Sequence, residues 1–432
     1  MLFSIYNLFL NTIGIGVFLA LRPKIKYDET FYNGRLGSFA PELVSGGAPR
    51  IWLHASSVGE VVGILPTISL LRDQLPEAAL YLTVGTVHGF YFARKQIAGK
   101  ACVLPFPLDF PWVLKKAFDS MMPDVYVAVE SEFWPNLYHL LRQRRIPALL
   151  LNGRLSHRST RRYGLWKPLF SPIFKQFRWL AMHSPEDRQN ALALGADPER
   201  ALVMGTAKYD GLSSRVNDRK TQEWRSVLDI PPSLPVVVGG SLRGSECIEL
   251  LRVFHRLRVV ESQAVGIFVP RHLERLPSMI EWLKGQGVSF QLLSQITGSN
   301  GKRYAPIVLV DRIGILFELY ALGDIVFCGG TLEPIGGHNI LEPAAWGKAV
   351  FYGPHVEKVY QERLFLESSG GSFLARNAED LLHQWTYWIQ HLVELGDRGE
   401  NARAAIRRLE GVAARQVGLI LDALAESELG RL

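Results

Sequence analysis

CGGTLEPIGGHNILEPAAWGKAVFYGP, residues Cys328–Pro354, is the stretch from which the chain reads as an α/β protein. An apolar β-type run, Asp324 to Cys328, enters a Gly-rich turn, and Gly336-Gly337-His338-Asn339 then opens a helical run. Strand, glycine turn and helix in that order place free backbone N–H groups and the positive end of a helix dipole at the carboxyl edge of a sheet, which suits an anion such as a phosphate. Only small residues let a backbone approach a ligand so closely. Glu342, in the expected first turn, would face the same ligand and accept from hydroxyls. The competing reading is a tight strand-to-helix turn, with Asn339 as its cap and Glu342 as a structural acid.

The same alternation extends in both directions. Upstream, apolar runs at Arg50–Ala55, Ala79–Val84, Ala101–Leu104, Val125–Val129, Ala148–Leu151, Trp179–His183 and Ala201–Met204 are separated by helical stretches such as Val61–Leu75 and Trp134–Arg145. A second series follows Pro235, with runs at Val236–Gly239, Gly266–Pro270, Ile307–Asp311, Asp324–Cys328 and Ala349–Tyr352. Near-continuous apolar strands between amphipathic helices predict parallel sheets covered on both faces. The expected organisation is a first domain over 35–212, a polar linker or outer helix over 213–234, a second domain over 235–395 and a helical segment over 396–432. Two doubly wound domains facing each other across a cleft would bind ligands at the carboxyl ends of their strands.

A chain of 432 residues accommodates two such domains. With 48% hydrophobic and 21% charged residues it is globular in composition, which excludes a disordered or fibrous chain. Cys102, Cys247 and Cys328 lie far apart, with no C-x-x-C and no Cys/His cluster, so neither a zinc site nor a disulfide framework is implied. A reducing, cytosolic setting fits this usage. The formal charge of +7 points to an acidic partner, whether nucleic acid, anionic lipid or a phosphorylated substrate.

Residues 1–21 carry no charged side chain, and Arg22, Lys24 and Lys26 follow. A membrane anchor over 1–22 is expected, since about 20 apolar residues cross a bilayer and basic residues beyond them hold the following chain in the cytoplasm. Asn7, Asn11, Thr12, Gly14 and Gly16 weaken a span, leaving a shallow interfacial helix as the alternative.

Six stretches carry candidate chemistry. In His54-Ala-Ser-Ser-Val-Gly-Glu60, Ser57 caps the next helix, Gly59 permits close approach, and Glu60 sits at the helix N-terminus as a candidate general base. The S-x-x-E spacing equally describes a capping box, and the dipole there works against strong basicity. In Val129-Glu130-Ser131-Glu132-Phe133-Trp134-Pro135-Asn136, two acids follow an apolar strand, where they bind a ligand or pair with an arginine. Between Arg142 and Arg178 there is no acid, and Arg158, Arg161 and Arg162 stand among aromatic residues, a surface suited to phosphates beside a membrane. No nucleic-acid motif accompanies it. In the second domain, Gly239–Glu246 (GGSLRGSE, with Ser241) and Arg271 of VPRHLER end strands and suit a phosphate, while Lys208 in MGTAKYD is a lone cation that reaches an anion or serves as a hinge contact.

Taken in order, WLHASSVGE, VESEFWPN, NGRLSHRS, MGTAKYD, GGSLRGSE, VPRHLER and GGHNILEPAAWGKAVFYGPH resemble the successive motifs of the 3-deoxy-D-manno-oct-2-ulosonic acid (Kdo) transferases of lipopolysaccharide biosynthesis. The resemblance covers nearly the whole chain. It implies the GT-B fold, two Rossmann-like domains, and inverting, metal-independent transfer of Kdo from CMP-Kdo to a lipid A precursor, lipid IVA. It implies no cofactor, no metal site and no nucleic acid. The partners would be CMP-Kdo, the anionic lipid acceptor and inner-membrane lipids, with a single N-terminal anchor and cytoplasmic catalytic domains. Glu60 then looks like the catalytic base. Arg271, Lys208, Ser241, the Gly336 and Gly337 amides, Asn339 and Glu342 look like the CMP site, Ser57, Gly59, Glu130 and Glu132 like cleft residues, and Arg158, Arg161 and Arg162 like the acceptor face. The chain departs from the family at Leu242-Arg243, where Thr-His is usual, at Leu273, where Pro is usual, and at Glu357-Lys358, where Asn-Phe is usual. Within enzymes the alternative is a GT-B transferase or epimerase for another nucleotide sugar. Outside them it is a membrane-tethered binding protein. A dehydrogenase is disfavoured because G-x-G-x-x-G is absent.

Overall fold

Two seven-stranded parallel sheets organise the chain, which a computed structural model describes over residues 2–14, 16, 28–39, 47–298 and 301–429. Contacts within the chain divide it into two units, one of residues up to Asp210 with those from Leu409 onward, the other Gly211–Arg408.

The first unit contains β1 (Gly47–Ala55), β2 (Ala78–Val84), β3 (Cys102–Pro105), β4 (Val125–Val129), β5 (Ala148–Gly153), β6 (Phe177–Met182) and β7 (Ala201–Val203), in the order β3-β2-β1-β4-β5-β6-β7. Every residue of β2, β4 and β5 is buried, because helices cover both faces. Alternate residues supply two separate cores: Trp52, Tyr81 and Tyr126 fill one face, and Ile51, Leu53, Leu80 and Val127 the other. Strand order reverses between β1 and β4, whose register pairs Leu53 with Val127 and His54 with Ala128. The loops that leave these two strands therefore start side by side.

The second unit contains β8 (Val236–Leu242), β9 (Val265–Pro270), β10 (Phe290–Leu292), β11 (Ile307–Leu309), β12 (Ile325–Cys328), β13 (Val350–Tyr352) and β14 (Ser372–Leu374), in the order β10-β11-β9-β8-β12-β13-β14. Its reversal falls between β8 and β12, where Cys328 pairs with Gly240. The strands β10 and β14 were not expected from the sequence. Each has three residues at a sheet edge, too short for a period-2 pattern.

The segment 213–234, expected as a linker or outer helix, carries the helix Asp218–Val227, and Trp224 donates its indole N–H to Glu318 at 2.8 Å. Residues 396–432 divide between the units. The helix Leu392–Leu409 buries Ala402 and Ile406, and Val412–Leu429 places Val417, Ile420 and Ala423 in a core of the first unit. That last helix is fixed by polar contacts as well. Asp210 accepts from the amides of Val412 and Ala413, and buried Gln416 accepts from Thr67 at 2.7 Å and donates to Asn152 at 2.8 Å.

At the N-terminus the expected anchor is two short pieces, the helix Leu2–Phe9 and a π-helical turn Leu10–Gly14. No helix among the described residues is long and apolar enough to cross a membrane, and residues 1, 15 and 17–22 of the expected anchor lie outside the described residues. The first piece docks by polar and aromatic contacts. Tyr6 donates to Asp109 at 2.8 Å, and the Phe3 ring lies 4.6 Å from that of His139.

Candidate active site

In the first unit the reversal between β1 and β4 collects three carboxylates. The helix Val58–Gln74 begins where β1 ends, with Ser57 as its N-cap. Its hydroxyl accepts from the Glu60 amide at 3.4 Å and donates to Glu60 Oε1 at 2.9 Å, while the Ser56 amide donates to Oε2 at 2.6 Å. Ser57 therefore caps the helix, but Glu60 reaches back to the Ser56 amide and the Ser57 hydroxyl instead of the N-cap amide, and these bonds fix the carboxylate without excluding it from chemistry. Burial pushes the Glu60 pKa up to about 7 against the lowering by its two hydrogen bonds, with Glu130 and Glu132 adding repulsion. The helix terminus was expected to hold this acid down; desolvation outweighs it. At Gly59 a Cβ would meet only Ser57 Oγ at 3.8 Å, so no protein neighbour requires glycine there.

Glu130 takes a left-handed conformation, φ 62°, which turns the chain sharply after β4. Burial raises its pKa, opposed by Arg154 and Lys208 and reinforced by Asp187 and Glu132. Glu132 differs. Burial acts on it in the same sense, but His54, Trp134 and Ser56 outweigh it, and its pKa lies below the usual value. Trp134 donates to Glu132 Oε2 at 2.7 Å, and His54 Nε2 stands 3.5 Å from the same oxygen. His54 is fully buried on β1 under the ring of Phe106, and its Nδ1 lies 3.0 Å from the Thr83 carbonyl. The sequence reading named His54 only as a strand end, because nothing in a strand pattern marks which side chain reaches across to the next loop.

Lys208 lies in a 3-10 turn, Ala207–Tyr209, with its ammonium 5.3 Å from the Tyr209 ring centre and within electrostatic reach of Glu130. Arg158, Arg161 and Arg162 are exposed on His157–Leu165, a helix with no buried residue. None of the three pairs with a carboxylate among the described residues, and Leu165 and Trp166 stand exposed at the end of the same helix.

The second unit answers the expectation of a phosphate cradle differently. The amides that follow β12 are taken by the protein itself: Glu246, fully buried, accepts from Gly330 at 2.6 Å, Thr331 at 2.7 Å, Leu332 at 2.7 Å and Arg243 at 3.0 Å. The start of the helix Glu246–Leu257 is taken too, since Ser245 N donates to Glu333 at 2.6 Å. The Gly337 amide donates to Gly330 O at 2.8 Å, so it is not free for a ligand. Nor does Gly336 open a helix. Asn339 accepts from Leu341 N at 3.2 Å, and the helix there is Leu341–Ala345, five residues with little dipole.

Side chains line this crevice instead. Ser241 ends β8 in the left-handed region, φ 54°, and Arg271 follows β9 with its amide donating to Leu242 O. Burial raises the pKa of Glu342, opposed by Arg215, Asn339 and Arg271; the Arg215 guanidinium is 3.9 Å away and lies over the Phe317 ring. Among the described residues, no group of three or more His, Cys, Asp and Glu side chains is placed to hold a metal ion.

Two doubly wound parallel sheets, each with its polar site at its own strand-order reversal, make this a two-domain, Rossmann-like α/β protein of GT-B-like fold. In overall fold the chain is similar to UDP-GlcNAc 2-epimerase from Neisseria meningitidis, with a TM-score of 0.56 at 13% identity, covering 86% of this chain and 99% of that one. The family model described as 3-deoxy-D-manno-octulosonic-acid transferase (kdotransferase) matches residues 31–211. The 3-deoxy-D-manno-octulosonic acid transferase of Chlamydia pneumoniae is 30% identical over 85% of this chain and 85% of its own length. A bifunctional glycosyltransferase/methyltransferase of Fusobacterium nucleatum is 32% identical over 82% of this chain, which spans only 54% of that longer protein. The chain belongs to the 3-deoxy-D-manno-octulosonic acid transferase family and is a glycosyltransferase.

Proposed function

We propose that the protein moves Kdo from CMP-Kdo to the lipid A precursor lipid IVA at the cytoplasmic face of the inner membrane, with inversion and without a metal. The observation that carries this reading is Glu60, a carboxylate held by Ser56 and Ser57 at the reversal of the first sheet, with a pKa near neutrality. A base poised there takes the proton of an acceptor hydroxyl as its oxygen attacks the anomeric carbon of the donor sugar. The bond from that carbon to the phosphate oxygen breaks, and CMP leaves with the electron pair. One carboxylate acting from the face opposite the leaving group inverts the centre.

Glu132 stays ionised beside His54 and Trp134, which suits it to accept hydrogen bonds from substrate hydroxyls. In the second unit Arg271 would offset the charge of the departing phosphate, with Ser241, Asn339 and Glu342 around the nucleotide, and in the first unit Lys208 is a further cation for an anionic ligand. Because CMP departs with its charge met by side chains, no metal is asked of the protein. The exposed Arg158, Arg161 and Arg162 beside Leu165 and Trp166, and the exposed Ile5, Leu8 and Phe9 of the first helix, support contact with an anionic lipid surface, lying along it instead of across it.

The test is CMP release by the purified chain with CMP-Kdo and lipid IVA, run beside UDP-sugars as donors. Release confined to CMP-Kdo, with a product heavier by one or more Kdo units, is the expected result. Turnover of a UDP-sugar, or none with CMP-Kdo, overturns the reading.

A further inference from the structure

In the second unit, both backbone cradles at the strand-order reversal are already filled by the protein's own acids. Glu246 holds the amides of Gly330, Thr331 and Leu332, and Glu333 holds the amide of Ser245. An anionic ligand at this edge therefore finds the amides of Gly330, Thr331, Leu332 and Ser245 already taken, and side-chain cations stand there to meet it. Three cations stand there without a carboxylate partner among the described residues: Arg271, Arg243 and Lys358. Arg243 leaves the β8 loop and donates to His272 Nε2 at 2.7 Å, beside Arg271 on the neighbouring β9 loop. Lys358 comes from the far side, its stem against Gly336 and its amide bonded to Gly336 O at 2.9 Å. Between them lies His338, packed over Gly330, with Nε2 buried and unpartnered. Burial first, and then the charges of Arg271, Arg243 and Lys358, push the His338 pKa down to about 4. The acids nearby are otherwise engaged. Glu342 faces Arg215 at 3.9 Å and feels Arg271 at longer range, Glu357 faces His355, and Glu246 and Glu333 face amides.

A phosphodiester carries one negative charge, and three cations around it leave an excess. We propose that this crevice binds two anionic groups of a single donor, its phosphate and a carboxylate on the transferred sugar, with Arg243 and Lys358 supplying contacts beyond Arg271. The proposal rests on the donor reading above and names the acidic character of the sugar as part of what is recognised. Neither residue is carried over from the family motifs, since both stand where this chain departs from them. Neutral His338 adds a hydrogen-bonding nitrogen without adding charge, so it can serve the ligand in a site already rich in cations.

The experiment is calorimetric binding of CMP and of CMP-Kdo to the full chain, wild type against Arg243→Met, Lys358→Met and the double variant. The expected result is that each single variant weakens CMP-Kdo by about tenfold, as loss of a charge-assisted contact predicts, while CMP affinity stays within about twofold. In wild type, added salt should weaken CMP-Kdo more than CMP, and this difference should vanish in the double variant. Equal losses for both ligands would assign the cations to the phosphate alone and overturn the proposal, as would no loss for either. Wild-type protein that binds neither ligand would instead overturn the donor reading itself. Lys358 is exposed and Arg243 half-buried, and an unchanged thermal midpoint separates lost contacts from lost fold.

Discussion

The two sheets reverse strand order in equivalent places, β1 against β4 and β8 against β12, yet they gather opposite charge there. The first unit brings Glu60, Glu130 and Glu132 together, and the second brings Arg243, Arg271 and Lys358 around a neutral histidine. The contrast lies in what the backbone amides do. At the first reversal the loop amide of Ser56 holds the acid proposed for chemistry, so binding and structure use the same carboxylate. At the second, Glu246 and Glu333 consume the amides for structure alone, and recognition passes to side-chain cations. A shared topology thus sets where a site lies, while the loop acids set its sign.

The sharpest way to break this contrast is Glu60→Gln, which keeps shape and removes the base. Turnover should fall by about 10³-fold or more, with CMP-Kdo binding retained in calorimetry. Wild-type turnover in that variant would reduce Glu60 to a cap. Next in size is Glu246→Ala. Leaving several buried amides unpaired should cost about 3 kcal/mol in denaturant unfolding, and the freed amides should let sulfate stabilise the variant more than wild type. Equal sulfate response would show that the cradle does not open.

A smaller effect concerns pH. Glu60, with its folded pKa near 7 against an ordinary 4.5, keeps its proton in the folded state after the unfolded chain has released it. Its contribution to stability therefore falls as pH rises from about 4.5 to about 7 and is flat above, and Glu60→Gln should remove that slope from unfolding measured across the window. The activity of wild type should rise over the upper part of the same window. Smallest, neutralising Arg158, Arg161 and Arg162 together should raise the acceptor KM several-fold, more at low salt, with donor affinity unmoved. An unchanged acceptor KM would detach that helix from lipid docking.

Much of this was legible from the chain. Long apolar strands such as Val125–Val129 announce themselves, whereas the three-residue edge strands β10 and β14 do not. Glu60, Glu130, Glu132 and Arg271 stand out as candidates in the sequence because polar residues directly after a buried strand have few structural reasons to be there. His54 was passed over because a histidine within an apolar strand looks like core until its neighbour across the sheet is known. The Gly337 amide looks ligand-facing in the sequence yet donates to Gly330 O, because a glycine turn shows which amides exist and not where they point.

By itself the sequence determined two doubly wound domains, their family and the loops that carry polar side chains, since periodicity and motif order are local properties of the chain. Only the tertiary structure decided which charges survive in those loops. Whether Glu246 meets the Gly330–Leu332 amides, about 85 residues along the chain, and whether burial outweighs a helix terminus at Glu60, depend on through-space neighbours and on solvent exclusion. A one-dimensional pattern carries neither.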